Sequence, residues 1–311
     1  MTERLTPDAL GVQRAERILS DGGLVAFPTE TVYGLGGDAR QGKAVAAIFE
    51  AKGRPSFNPL IVHVADLKAA RAYAHFNDQA LRLAVAFWPG PLTLVLPLRA
   101  DSGLSPLVTA GNPTVAIRVP AHPLAQKLLG SFAGPLAAPS ANPSGKISPT
   151  RAAHVLAGLE GRIDAVLDGG ATEVGLESTI IGLDPRPTLL RAGGLPGEVI
   201  EKAIGRPLAA ANPELITAPG QLASHYAPNA ALRLEAVDLR EGERLLGFGA
   251  SPDATLNLSP AGDLREAAAN LFTHLHTLDQ TPGPIAVAPI PHIGLGRAIN
   301  DRLARAAAPR P

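Results

Sequence analysis

Lys52 and Arg54 stand two residues apart in Lys52-Gly53-Arg54-Pro55-Ser56-Phe57-Asn58-Pro59, and far downstream Ser140-Ala141-Asn142-Pro143 offers short polar side chains on a proline-bent backbone. A point-charge ammonium and a forked guanidinium on a stiffened loop can contact separate oxygens of a polyphosphate. The same loop reads equally well as a solvated basic helix end, favoured by the helix dipole. The serine and asparagine turn follows an apolar run, so its N–H groups can face a ligand, although such turns by themselves are usually caps. Pro28-Thr29-Glu30-Thr31-Val32-Tyr33-Gly34-Leu35-Gly36 reads as a third polar loop attached to an apolar strand.

Other residues carry weaker signals. Arg118 lies in Thr114-Val-Ala-Ile-Arg118-Val-Pro, an otherwise apolar or small-residue strand, so its charge needs an anion, either a structural acid or a ligand carboxylate. His63 in Ile-Val-His63-Val is more naturally a hydrogen-bonded core residue than a ligand contact. Glu177-Ser178-Thr179 and Leu190-Arg191-Ala-Gly-Gly close neighbouring strands, as edge turns or as parts of a site. Tyr33 suits core packing. Tyr226, in His225-Tyr226-Ala227-Pro228, suits docking against one domain, which makes its segment a lid. Gly37-Asp-Ala-Arg-Gln-Gly42-Lys43-Ala44 fails as a phosphate loop, because Ala44 replaces the metal-binding hydroxyl and the loop does not directly follow a strand. That argues against a P-loop kinase.

These residues need a scaffold. Thr6-Pro7-Asp8 predicts a helix start, with Leu10, Ala15, Ile18 and Leu19 along it until Asp21-Gly-Gly. Strands are predicted at 24–27, 60–64, 92–96, 114–119, 136–138, 165–167, 179–183 and 188–190, and helices at 44–51, 66–74, 78–87 and, after a Ser148-Pro149 cap, 151–159. This mixture points to an α/β domain with a large mixed sheet over residues 1–205. Proline-punctuated sequence at 206–230 reads as a linker. Beyond it, strands at 232–236, 244–248, 255–258 and 285–288 and helices at 264–278 and 295–307 predict a smaller, Rossmann-like α/β domain with a parallel sheet over 231–311.

Bulk composition narrows the function. The 311 residues are 46% hydrophobic, enough for a sizeable core. Lys plus Arg and Asp plus Glu are 28 each, so general electrostatic attraction to nucleic acid or membrane is excluded and any cationic site is local. No cysteine is present, which removes disulfides and thiolate chemistry and fits a reducing cytosol. Neither a signal-peptide core nor a run long enough to span a bilayer is visible, so a cytoplasmic protein is expected.

In this order, Pro28-Thr-Glu-Thr-Val-Tyr-Gly-Leu-Gly36, Lys52-x-Arg54, Ser140-x-Asn142, Glu177-Ser-Thr-Ile and Arg191-x-Gly-Gly closely resemble the YrdC-like domain of threonylcarbamoyl-AMP synthases over about residues 10–205. His225-Tyr-Ala-Pro and Leu295-Gly-Arg-Ala-Ile-Asn-Asp-Arg-Leu resemble the linker and C-terminal domain of the family's long form. The resemblance implies a nucleotidyltransferase that joins L-threonine, bicarbonate and ATP into threonylcarbamoyl-adenylate and pyrophosphate, the first step of t6A modification of tRNA. The threonine amine would capture bicarbonate as a carbamate, whose oxygen attacks the α-phosphorus, with no covalent enzyme nucleophile.

By the same resemblance Lys52, Arg54 and Arg191, with Mg²⁺ carried on ATP and no metal ligand assigned in the chain, would hold the triphosphate. Asn58, Thr114, Ser140, Asn142, Ser148 and Tyr226 would surround the nucleotide. Thr31, His63, Arg118, Ala138 and Ser178 would surround threonine, with the substrate carboxylate as the anion of Arg118. Partners would include a downstream tRNA threonylcarbamoyl transferase and, weakly, tRNA. The family often has basic and aromatic residues before the His-Tyr pair, whereas this chain has Gln221-Leu-Ala-Ser224, which withdraws cationic contacts from that stretch. The rival readings are an RNA-binding module without adenylate synthesis, disfavoured by zero net charge, and carbamoyl transfer in metal-centre maturation, disfavoured because zinc-finger cysteines and an acylphosphatase region are missing.

Overall fold

A computed structural model describes residues 1–212, 218–221 and 224–309. Strands β1 (Glu3–Leu5), β2 (Val25–Pro28), β3 (Tyr33–Asp38), β4 (Ile61–His63), β5 (Leu92–Pro97), β6 (Thr114–Arg118), β7 (Leu136–Ala137), β8 (Ala165–Leu167), β9 (Thr179–Gly182), β10 (Thr188–Arg191) and β11 (Ala209–Ala210) build one mixed sheet. Its order is β1-β8-β2-β3-β7-β4-β6-β5-β9-β10-β11. Helices α1 (Ala9–Ser20), α2 (Gly42–Lys52), α3 (Leu67–Ala70), α4 (Asp78–Phe87), α5 (Pro106–Thr109), α6 (Pro123–Phe132), α7 (Ala152–Leu159) and α8 (Gly197–Ile204) accompany it. The apolar runs at β2, β4 and β8 are buried along their whole length, as expected of strands covered on both faces. On one side Phe27, Leu136, Ala138 and Leu167 pack with α1 and α6 residues such as Leu19 and Leu128, while Val45, Ile48, Leu83 and Ile200 belong to a second, larger core.

A second sheet, of order β12-β15-β13-β14, is parallel throughout: β12 (Leu232–Arg233), β13 (Arg244–Gly247), β14 (Leu256–Asn257) and β15 (Ile285–Val287). Helices α9 (Leu264–Leu278) and α10 (Leu295–Ala307) occupy the segments predicted from their periodicity. Asp263 caps α9 by accepting from the N–H groups of Arg265 and Glu266. The core beneath these helices is shared with segments that precede the second sheet, since Val32, Ile147, Leu176 and Tyr226 pack into it. Among the described residues, no helix is long and apolar enough to cross a membrane.

Several local expectations need correction. Asp8, not Thr6, caps α1, because Asp8 is the extended residue and its carboxylate accepts from Gly11 N at 2.9 Å. Leu10 consequently faces solvent while Val12 is buried. The segment from Tyr33 onward, read as a polar loop, is the interior strand β3, pairing antiparallel with β2 and β7. Helix 66–74 shrinks to α3, and β1, α5, α6 and α8 were not anticipated. Ser148 does not cap α7, since its hydroxyl is bonded to Glu177. Within the span read as a linker, β11 pairs with β10, and residues 213–217 and 222–223 lie outside the described residues.

His154 on α7 and His276 on α9 stack with ring centroids 4.0 Å apart and planes 24° apart. Burial and then the neighbouring imidazole push His154 down to about 3, and burial also lowers His276. A base with a depressed folded pKa binds its proton more readily when unfolded, so its stabilisation is complete above the unfolded value of about 6.5 and is lost as pH falls towards 3. Melting temperature is therefore expected to drop between pH 7 and 4.5 as unfolding takes up protons on these imidazoles. Replacing His154 with Phe should flatten that dependence; an unchanged slope would show that the stack is not what titrates.

Candidate active site

The turn between β2 and β3 is built by Thr29, whose hydroxyl donates to Val32 O at 2.6 Å and accepts from the N–H groups of Thr31 and Val32. This turn aims Glu30 inward. The Glu30 carboxylate receives Arg118 Nη2 at 2.6 Å and Ala121 N at 3.0 Å. Arg118 ends β6 and also donates to Thr31 Oγ1 at 3.0 Å and to Gly90 O at 3.2 Å. The anion that neutralises Arg118 in this structure is thus a structural acid, where the family resemblance pointed to a substrate carboxylate. Two of its five N–H groups remain without a protein acceptor among the described residues, on a side chain that lines the cleft. Parallel register places His63 beside Arg118. Burial and then the Arg118 charge push His63 down to about 3, so it is a neutral imidazole, set edge-on to Phe27 at 6.3 Å.

Helix α2 ends at Lys52 because Gly53 takes the left-handed conformation, φ 58°, and the N–H groups of Gly53 and Arg54 return to Glu50 O and Phe49 O. That cap turns Lys52 onto the downstream turn: Nζ donates to Ser140 O at 2.5 Å and to Asn142 O, while Ser144 N donates to Lys52 O at 2.7 Å. Arg54 is steadied by Asn58 O at 3.2 Å and Pro59 O at 2.8 Å. Burial lowers both cations, Arg54 to about 10 and Lys52 well below the usual ammonium value, with repulsion from Arg191 and Arg54, respectively, adding to it.

The opposite wall comes from β9 and β10. Arg191 donates to Ser178 O through Nε at 3.1 Å and Nη2 at 2.9 Å, and to Ser178 Oγ at 3.2 Å. Gly193 permits this approach, since a Cβ there would sit 2.3 Å from Glu177 O. Burial would raise Glu177, but the charges of Arg302 and Arg191 outweigh it and hold the carboxylate at about 2. Pro219, Gly220, His225 and Tyr226 cover the cleft. Tyr226 is buried with φ 64°, its ring stacked on Phe272 at 5.8 Å and facing the Arg302 guanidinium at 4.9 Å.

Together these walls line one cleft of mixed polar and apolar character. Arg54, Ser140, Arg191, Tyr226, Thr31, His63, Arg118, Ala138 and Ser178 all line it. Five other candidates lie off its surface. Lys52 grips the 140–142 backbone, Ser148 bonds Glu177, and Thr114 stands at the start of β6 opposite Pro97. Among the described residues, buried Asn58 has no hydrogen-bond partner for either amide atom, and Asn142 has none for its Oδ1. Lys52, Arg54 and Arg191 are buried, yet among the described residues none has a carboxylate within 4.0 Å, unlike Arg118 and Arg302. A wall of buried cations without carboxylate counter-ions suits an anionic ligand.

Sequence reasoning did not single out Glu30, Glu177, His225 or Arg302 as site residues. The first three stand inside the motifs that pointed to the site, and a buried acid beside an unpaired cation was the available signal. Arg302 stands inside the C-terminal motif from Leu295 to Leu303, but one Arg on a helix rich in charge reads as solvent-facing.

Comparisons with known proteins give the family. Residues 17–193 match the Sua5/YciO/YrdC family model, described as "Telomere recombination", and residues 196–308 match "Threonylcarbamoyl-AMP synthase, C-terminal domain". The chain is 41% identical to a threonylcarbamoyl-AMP synthase of Bacillus subtilis, covering 100% of this chain and 96% of the relative. It is 42% identical to that of Pyrococcus abyssi, covering 95% and 93%. The crystal structure of P. abyssi Sua5 complexed with L-threonine superposes with a TM-score of 0.90 at 39% identity, covering 99% of this chain and 97% of the other.

Proposed function

This chain belongs to the threonylcarbamoyl-AMP synthase family, and from that premise we propose that its cleft joins L-threonine, bicarbonate and ATP into threonylcarbamoyl-adenylate with release of pyrophosphate, the first step of t6A modification of tRNA. The observation that carries the reading is the set of buried cations at the cleft, Lys52, Arg54 and Arg191, which among the described residues have no carboxylate partner. Arg54 and Arg191 meet the triphosphate directly, and Lys52 fixes the Ser140 and Asn142 backbone that flanks it. Asn58, Asn142, Ser148, Thr114 and Tyr226 complete the nucleotide surroundings. The free N–H groups of Arg118 receive the threonine carboxylate, while Thr31, His63, Ala138 and Ser178 shape a small pocket around its side chain. The threonine amine adds to bicarbonate with loss of water; the carbamate oxygen then attacks the α-phosphorus and the bond to pyrophosphate breaks. Alignment and charge neutralisation supply the catalysis.

Among the described residues no group of three or more His, Cys, Asp or Glu side chains can hold a metal, and Glu30 and Glu177 are occupied by arginines. The reading therefore assigns no metal ligand in the chain and takes Mg²⁺ to enter with ATP as part of the substrate. His225 and Tyr226 over the cleft keep water from a carbamate and a mixed anhydride that hydrolyse readily. The reading assigns residues 1–205 to catalysis, 206–230 to a lid and 231–311 to a second domain. It puts the enzyme in the cytoplasm beside the tRNA transferase that consumes its product.

The test is pyrophosphate release together with mass detection of the adenylate. Omitting threonine or bicarbonate is expected to reduce release to background. Equal release without threonine would refute the reading.

A further inference from the structure

Among the described residues Arg302 is the largest fully buried side chain, and it comes from α10. Its Nε donates to Glu177 Oε2 at 2.7 Å, its Nη2 to Ala192 O at 2.9 Å and its Nη1 to Asp301 at 2.7 Å. The guanidinium also faces the Tyr226 ring at 4.9 Å. One side chain therefore touches the cleft-lining acid, the backbone directly after Arg191, and the cleft-covering tyrosine.

Glu177 is the difficult member of this group. It is a buried carboxylate in the lining of a cleft whose cations are proposed to bind phosphate, and it lies close enough to Arg191 for each charge to act on the other. Left unpaired, it would repel a triphosphate and compete for Arg191 as an internal anion. Ser148 occupies its Oε1 but is neutral, so Arg302 supplies the cation that holds its Oε2.

We propose that Arg302 is a positioning residue that sequesters the Glu177 carboxylate and so keeps Arg191 available for the substrate phosphates. The inference rests on the functional reading above, but its central test does not require turnover. Binding of inorganic pyrophosphate to the full chain is measured by calorimetry for the wild type, Arg302→Met, Arg302→Lys and the double variant Arg302→Met/Glu177→Gln. KM for ATP, kcat and melting temperature are measured alongside.

Arg302→Met, which keeps bulk but removes charge, is expected to weaken pyrophosphate binding and raise KM for ATP about tenfold or more, with a smaller change in kcat. Removing the carboxylate as well should restore most of that affinity. Arg302→Lys should stay within about threefold of wild type, since it keeps the charge. Wild-type affinity in Arg302→Met would overturn the proposal, and so would a double variant as weak as the single one, because a purely structural role is not rescued by neutralising Glu177. If Arg302→Met fails to fold, Arg302→Lys and the double variant decide the matter: both binding well supports the proposal, and either binding poorly overturns it. A wild type that binds pyrophosphate but forms no carbamoyl-adenylate would sink the functional reading and leave this test intact.

Discussion

Arg54→Ala is expected to lower threonine-dependent pyrophosphate release by about a hundredfold or more, the scale of losing a charged group that stabilises a transition state. The guanidinium is steadied by two carbonyls, of Asn58 and Pro59, and lines the cleft with no carboxylate in reach. A buried cation in that position is costly to the empty protein, as its fall to about 10 by burial reflects. Removing it relieves the desolvation of the cation but leaves the Asn58 and Pro59 carbonyls without that donor, so a modest drop in melting temperature is expected. Arg54→Lys keeps charge without the fork and is expected to recover only part of the activity. Full activity in Arg54→Ala, measured by pyrophosphate release at saturating threonine, would remove this residue from the site.

Lys52→Ala is expected to cause a comparable loss of activity by a different route, accompanied by a drop in stability. Its ammonium is the donor to two carbonyls, of Ser140 and Asn142, so truncation leaves buried acceptors unpaired at about 1–3 kcal/mol each. Lys52→Met should share that fate, since it restores the stem but not the donors. Thermal melting separates a strut from a direct phosphate contact. If Lys52→Ala melts like the wild type while losing pyrophosphate affinity, the ammonium grips the ligand itself and its bonds to the 140–142 turn are incidental.

Much of the scaffold was legible because its strands are short apolar runs between prolines and glycines. β5, β8, α4, α9 and α10 fall within a residue of their expected limits. β3 was not, because Tyr33-Gly-Leu-Gly-Gly-Asp has a loop's composition. Its glycines serve packing: a Cβ at Gly36 would lie 2.9 Å from the Phe27 ring, and one at Gly34 would lie 3.3 Å from Ala138. The candidate site residues stood out only as an ordered set of motifs, since a Lys-x-Arg loop alone reads equally well as a basic helix end and a Ser-x-Asn turn alone is usually a cap. Their pairings were not visible. The choice between Glu30 and a substrate for Arg118 depends on a contact spanning 88 residues, and that between Arg302 and Glu177 on one spanning 125.

That last separation has a consequence for synthesis. A ribosome releases Glu177 and the whole strand framework around it well before it releases α10, and domains fold largely in the order in which they emerge. Until Arg302 arrives, the carboxylate sits among the cations with no permanent owner. A nascent polypeptide can therefore fold its large sheet while Glu177 still lacks the cation that pairs it, and the pairing is made only once α10 has emerged.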